Sequence, residues 1–255
     1  MVIGKGSKRP EINCDMGEGF GLYKMGDDER IMPYITAANV ACGFHAADPV
    51  VMASTVRLAK RHDVRVGAHP SLPDFQGFGR REMRMQPDEL TACIIYQVGA
   101  LKGFLEREGM QLSHVKPHGA LYGMAARSEE IAGAIAEAVK VFGVPIFGMV
   151  GTIHEKIYLA RGLAFISEYY ADLEYDDEGG VIITRVHQAV DPDRAAERAL
   201  RAAREGRVES INGCPVRVRA DTVCVHSDTP NAVAVVRAVR DKLAGAGLKQ
   251  SEVAG

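Results

Sequence analysis

An α/β architecture with parallel strands is expected from the rhythm of this chain. Short apolar runs alternate with longer amphipathic ones, the amphipathic runs open on capping residues, and charged side chains collect just after the apolar runs. Glu11–Cys14, Ala37–Ala41, Val64–Ala68, His114–Lys116, Pro145–Val150, Leu163–Ser167 and Thr222–Val225 read as seven strands. Between them, "DPVVMASTVRLAKRH" starts a helix with Asp48 as N-cap and Pro49 at its first position. "QPDELTACIIYQVGALKGFLEREG" carries apolar residues at helical spacing and stops at Gly109. A third helix runs from a capping Ser128 to Gly143, and "DPDRAAERALRAAREG" and "DTPNAVAVVRAVRDKLAGAG" repeat the scheme. Seven strands over 255 residues suit a closed or nearly closed barrel. A doubly wound open sheet is the alternative, and periodicity does not separate the two.

No linker or composition shift divides the chain, so residues 1–255 read as one domain. "ADLEYDDEGGVIITRV" breaks the rhythm. Its Gly179-Gly180 followed by "VIIT" predicts a hairpin or lid after the sixth strand. The net charge of −2 argues against a nucleic-acid partner. No window approaches the roughly 18 apolar residues of a membrane span. The start "MVIGKGSKRP" lacks an apolar signal core, and the five cysteines are scattered without a CxxC pair. A cytoplasmic protein without disulfides or structural zinc is expected. Cys14 and Cys42 lie near the polar motifs, which keeps a nucleophilic thiol in view.

The chemistry collects at one place. The first strand leads into Asn13 and Asp15, the second into His45 and Asp48, and the third into His69. The fourth leads into Lys116 and His118, the sixth into Glu168 and Asp172, and the seventh into His226 and Asp228. Strand C-termini are the face where ligands bind in barrels and doubly wound sheets alike. Singly, His45 could bond backbone, Asp48 could only cap, and His69 before Pro70 could fix a turn. Together they predict a functional rim. His62, His114, His154 and His187 lack such company and read as surface or structural. Lys116 ends an apolar strand and needs an anion beside it, Asp15 or a ligand carboxylate. In "GAHPSLPDFQGFGRRE", Arg80 and Arg81 could clamp an anion or pair with Glu82 or Glu106 on the surface.

"EINCDMGEGFG" has the glycines of a phosphate loop but fits neither G-x-x-x-x-G-K-[ST] nor the strand-to-helix spacing of G-x-G-x-x-G. Asp15 and Glu18 suit proton transfer or metal binding better than phosphate, so the stretch reads as the mouth of an active site. Asp15, His45, His69 and His118 are ligand types that zinc, manganese or nickel take, though no local metal spacing such as HExxH is present.

Six blocks in order, "INCDMGEGFG", "AANVACGFHAADP", "VGAHPSLPDFQGFGRREM", "VKPHGALYG", "SEYYADLEY" and "VCVHSDTP", resemble the LamB/YcsF family, characterised as the A component of 5-oxoprolinase. The resemblance implies a seven-stranded β/α barrel of the glycoside hydrolase/deacetylase type. It implies ATP-dependent opening of the 5-oxoproline lactam to L-glutamate, together with B and C subunits, with ATP handled through that complex. Carried over by motif, Asp15, Glu18, His45, His69, Lys116 and His118 are the expected catalytic residues. Arg80, Asp172, His226 and Asp228 are the expected substrate-binding residues. Related deacetylases hold a metal on an Asp/His/His set, which here falls on Asp15, His45 and His69. Homo-oligomers fit the reading as well.

Three departures bear on the substrate. Leu173 follows Asp172 where the family has arginine, Ser227 replaces a glycine, and "DDEGGVIITR" replaces a proline-rich loop. A stand-alone metal-dependent deacetylase or amidohydrolase is the rival activity, and a non-enzymatic sugar- or lactam-binding regulator is the third option.

Overall fold

The computed structural model describes residues 8–182 and 187–250. Seven strands form a closed, all-parallel barrel: β1 Glu11–Met16, β2 Ala37–Ala41, β3 Arg65–His69, β4 Leu112–Val115, β5 Ile146–Gly148, β6 Phe165–Tyr170 and β7 Thr222–Val225. β7 pairs with both β1 and β6, which closes the ring and excludes the open sheet. Around it run α1 Pro49–Arg61, α2 Pro87–Arg107, α3 Gly119–Ala125, α4 Glu129–Lys140, α5 Ile153–Ala160, α6 Pro192–Glu205 and α7 Ala232–Gly245. Their apolar stripes cover the outer face of the barrel. In α1, for example, Met52, Val56 and Ala59 are buried while Lys60 and Arg61 face water.

Caps form where the sequence places them. Asp48 accepts from the amides of Val50 (2.7 Å) and Val51 (3.1 Å) at the start of α1. Its other oxygen accepts from Gly21, so this cap also pins the first loop. Ser128 caps α4, and Gly206 ends α6 in the left-handed conformation.

The strand bounds differ from expectation in an instructive way. β1 runs on through Asp15 and Met16, and β6 through Glu168, Tyr169 and Tyr170. Apolar runs mark strands that bury both faces in hydrocarbon. In this barrel the lumen is polar, so lumen-facing Asp15 and Glu168 look like loop residues in sequence. The predicted hairpin is present: Glu174–Tyr175 pairs antiparallel with Val181–Ile182, while Ile183 and Thr184 lie outside the described residues. A second hairpin, Arg207–Glu209 with Pro215–Arg217, leans on the first through Ile211 N–H to the Tyr175 carbonyl, 2.9 Å.

The lumen also explains a glycine. A Cβ on Gly67 of β3 would overlap the His114 ring, which stacks on Phe147 inside the barrel. Gly67→Ala is therefore expected to destabilise by about 1–3 kcal/mol through overpacking. A thermal melt matching wild type would reject that account.

Candidate active site

A hydrogen-bonded chain fills the barrel. The Asn39 amide donates to Asn13 Oδ1 (2.8 Å) and to Asp15 Oδ1 (2.7 Å). Asn39 Oδ1 must then accept from His114 Nε2 at 2.7 Å, and Asn13 donates to Thr222 Oγ1 at 2.9 Å. His114 is thus structural, as expected, and burial holds its pKa well below the ordinary histidine value.

Asp15 sits on top of this chain with its two oxygens in different roles. Oδ1 takes Asn39 and also the Lys116 ammonium at 2.9 Å. Oδ2 faces His69 Nε2 at 3.3 Å and His226 Nε2 at 3.8 Å. Burial pushes the Asp15 pKa up, but His69 and Lys116 outweigh it and hold the carboxyl well below its usual range. Lys116 is the expected partner of Asp15 and has a second one: Glu168 Oε1 lies 3.0 Å from its ammonium. Burial alone would lower the lysine pKa, yet Asp15 and the other anionic neighbours raise it well above the ordinary value. Tyr170 donates to the other Glu168 oxygen at 2.9 Å. With two protein carboxylates in place, Lys116 is a buried bridge rather than an open anion clamp.

Beside Asp15 lies a histidine cluster. The His45 and His118 rings stack with centroids 3.7 Å apart, and His69 meets His118 edge-on at 4.8 Å. His69 Nδ1 donates to the Lys116 carbonyl (2.7 Å) and His118 Nε2 to the Phe78 carbonyl (2.8 Å). In the neutral rings those bonds leave lone pairs on His69 Nε2 and His118 Nδ1, which face each other across 3.0 Å, and a proton on His69 Nε2 would serve His118 or Asp15 instead. Glu18 Oε1 is 3.1 Å from His45 Nε2 and 3.5 Å from His118 Nδ1. Two lone pairs and a carboxyl in contact call for a shared proton or a cation. Burial, reinforced by the Asp15 charge, pushes the Glu18 pKa well up, and burial pushes those of His45 and His118 well down.

On the other side of Asp15 stand two carboxylate–imidazole pairs. Asp172 meets His226 Nδ1 at 3.1 Å and accepts from the His226 amide at 2.8 Å. Burial opposes both charges, but each stabilises the other: the Asp172 pKa falls and the His226 pKa rises. Asp228 meets His187 Nδ1 at 3.0 Å and accepts from Arg80 at 2.7 Å. His187 had no signal in sequence. The run "VIITRV" before it reads as the hairpin rather than as a barrel strand, and only the folded chain brings it to Asp228.

A cavity of about 1440 Å³ opens over these groups, lined among others by Asp15, His69, Lys116, His118, His187 and His226. Arg80 also lines it, while Glu18, His45, Asp172 and Asp228 do not and instead hold residues that do. Arg81 does not line the cavity: the buried Asp74 accepts from its Nε at 2.8 Å, a partner different from the Glu82 or Glu106 that the sequence suggested. Leu173 does reach the cavity, and its carbonyl accepts from Arg198 at 3.1 Å. Cys14 and Cys42 are buried, which pushes the Cys14 thiol well up and the Cys42 thiol to about 12, so neither suits a nucleophile. The glycine loop is no phosphate cradle, because its amides meet the protein's own acids: Gly17 donates to Asp28 (2.8 Å) and Gly21 to Asp48 (2.7 Å).

A closed parallel barrel with carboxylates, imidazoles and a buried ammonium at the C-terminal rim is a β/α barrel whose titratable groups gather on the face where such barrels bind ligands. The chain belongs to the LamB/YcsF family, whose sequence model matches residues 10–255. It is 47% identical over 243 residues to the 5-oxoprolinase A subunit of Thermus thermophilus, covering 94% of this chain and 97% of that protein. It is 45% identical over 237 residues to the lactam utilization protein lamB of Emericella nidulans, covering 91% and 93% respectively. The crystal structure of the lactam utilization protein from Thermus thermophilus superposes with a TM-score of 0.87 at 45% identity, covering 96% of this chain and all of that one.

Proposed function

We propose that this chain is the A component of an ATP-dependent 5-oxoprolinase and opens the 5-oxoproline lactam to L-glutamate together with B and C subunits in the cytoplasm. The observation that carries the chemistry is the gap between Asp15 Oδ2 and His226 Nε2. They lie 3.8 Å apart and both are acceptors, a spacing at which one water can donate a hydrogen to each. In this reading His226 takes the proton as the water oxygen attacks the lactam carbon, Asp172 stabilises the imidazolium, and Asp15 orients the water. Lys116 and Asn39 keep Asp15 ionised and turned so that only Oδ2 is available. A five-membered lactam is a stable amide, and phosphorylation of its oxygen makes the carbon a good electrophile. The glycine-loop amides are engaged by Asp28 and Asp48, so the phosphoryl transfer is assigned to the partner subunits. Among the described residues no helix is long and apolar enough to cross a membrane.

The second cluster fits a divalent metal. His45, His69, His118 and Glu18 offer three imidazoles and a carboxylate within 4.8 Å of one another, with two of the rings oriented by backbone carbonyls. This set replaces Asp15 of the family-derived triad by Glu18, and Asp15 meets it through His69. When bound, such an ion would polarise the lactam oxygen. Added zinc is then expected to raise the melting temperature of chelator-treated chain, by about 2.7 kcal/mol of stability at one hundred times Kd. His69→Ala should remove that rise. A melting temperature unmoved by zinc, manganese and nickel would reject the metal.

The functional reading is tested with purified chain and 5-oxoproline, alone and with the B and C subunits plus ATP. Glutamate is expected only in the complete mixture. Full turnover by the isolated chain without ATP would reject the proposal in favour of a stand-alone amidohydrolase.

A further inference from the structure

Among the described residues, His187 is the one cavity-lining histidine to which neither the water-activating pair nor the metal cluster gives a task. Its surroundings are built like those of His226. Asp228 holds Nδ1 at 3.0 Å as Asp172 holds His226 Nδ1 at 3.1 Å. Thr229 joins the two pairs, with its hydroxyl 3.2 Å from Asp172 Oδ2 and 3.5 Å from His187 Nδ1. The His187 and His226 rings stand 5.1 Å apart at 73°. His187 Nε2 is buried, finds no partner among the described residues, and belongs to a ring that lines the cavity. A buried imidazole nitrogen without a protein partner costs free energy unless a ligand supplies one. A carboxylate on Nδ1 is what an imidazole needs to carry a proton on Nε2 and give it up to a ligand.

We propose that His187 is the general acid of the site, donating its Nε2 proton to the ring nitrogen as the lactam C–N bond breaks. The proposal rests on the lactam-opening reading. Water oxygen bonds to the carbonyl carbon and His226 takes one of its protons. The C–N bond then breaks with its electron pair on nitrogen, nitrogen takes the proton from His187 Nε2, and the hydroxyl proton leaves to solvent as the carbonyl re-forms; on the phosphorylated lactam this leaves an acyl phosphate, which a second water cleaves to the carboxylate and inorganic phosphate. His187 is left neutral, with its remaining proton on Nδ1 and donated in a hydrogen bond to Asp228. The proton held by His226 returns to His187 across the cavity, so both imidazoles end as they began and the protons balance. Asp228 is a positioning residue here, and Arg80 positions Asp228. The groups facing His187 are Asp228, Thr229 and His226, with Asp172 and Arg80 behind them.

The test uses the assembled complex with ATP and 5-oxoproline, comparing wild type, His187→Ala, His187→Gln and Asp228→Asn. A general acid must be protonated, so wild-type kcat is expected to fall at high pH. Both His187 variants should lose about 10²–10⁴-fold in kcat with little change in KM. They should also lose the basic limb, and His187→Ala should recover activity with added imidazole. Asp228→Asn keeps the histidine but removes the carboxylate that holds its Nδ1, so it should lower kcat while leaving KM little changed. Melting temperatures identify any variant that fails to fold, and the remaining ones carry the test. Variants within about threefold of wild-type kcat, an unchanged basic limb in the His187 variants, or a loss that imidazole does not relieve in a folded His187→Ala would each overturn the proposal. Absence of turnover in wild type would instead overturn the lactam-opening reading, and this inference with it.

Discussion

Replacing Lys116 by methionine is expected to abolish turnover and to destabilise the fold together. The ammonium lies between Asp15 (2.9 Å) and Glu168 (3.0 Å), and all three side chains are buried. Methionine keeps most of the stem and leaves two carboxylates facing each other without a counter-charge. Breaking a buried pair in this way costs roughly 3–5 kcal/mol, or about 6–20 °C in melting temperature for a chain of this size. The pH dependence has a definite sign. The folded Asp15 pKa is depressed, so its share of wild-type stability is present above the ordinary carboxylate value, about 3.9, and is lost as pH falls further. The folded Lys116 pKa is raised, so its share is complete below the ordinary lysine value, about 10.4, and is lost only as pH rises through the raised value. In Lys116→Met the carboxyl pair is relieved by a proton, so the gap in melting temperature should narrow on acidification. Adding Glu168→Gln should restore much of the stability and none of the activity. A stable and active Lys116→Met would reject the bridge as both a structural and a functional element.

His226→Ala is expected to lower kcat by about 10²–10⁴-fold, the usual contribution of a positioned base. The fold should tolerate it better than the lysine change, because removing the imidazole leaves Asp172 with the His226 backbone amide and the Thr229 hydroxyl as donors. A base must be neutral to act, so wild-type activity should be lost as pH falls. Asp172 raises the His226 pKa, which places that acidic limb above the ordinary histidine value of about 6.5. For stability the same shift has the opposite sense: its contribution is full below the ordinary value and is lost as pH rises through the raised one. Asp172→Asn should move the acidic limb to lower pH. A kcat–pH profile identical in wild type and Asp172→Asn would show that His226 is not the base.

Much of this protein is determined by local chemistry and is therefore legible in the chain itself. The seven strands, the caps at Asp48 and Ser128, the hairpin after the sixth strand, and the convergence of Asp15, His45, His69, Lys116, His118 and His226 follow from periodicity and from polar residues ending apolar runs. Whether the sheet closes was not written in any window, because closure is decided by the pairing of β7 with β1 across 211 residues of chain from Glu11 to Thr222. The polar lumen was likewise invisible. Glu168 looks like a loop acid until the barrel sets it against Lys116, and Gly67 looks like any strand glycine until His114 fills the space beside it. Partner choice is the other decision left to tertiary structure. An arginine seeks whichever carboxylate the fold brings near, so Arg80 took Asp228, 148 residues along the chain, and Arg81 took Asp74, seven residues back in its own loop. His187 shows the same limit most plainly: a histidine gains a role from what stands at its two nitrogens, and Asp228 reaches it from 41 residues further along the chain.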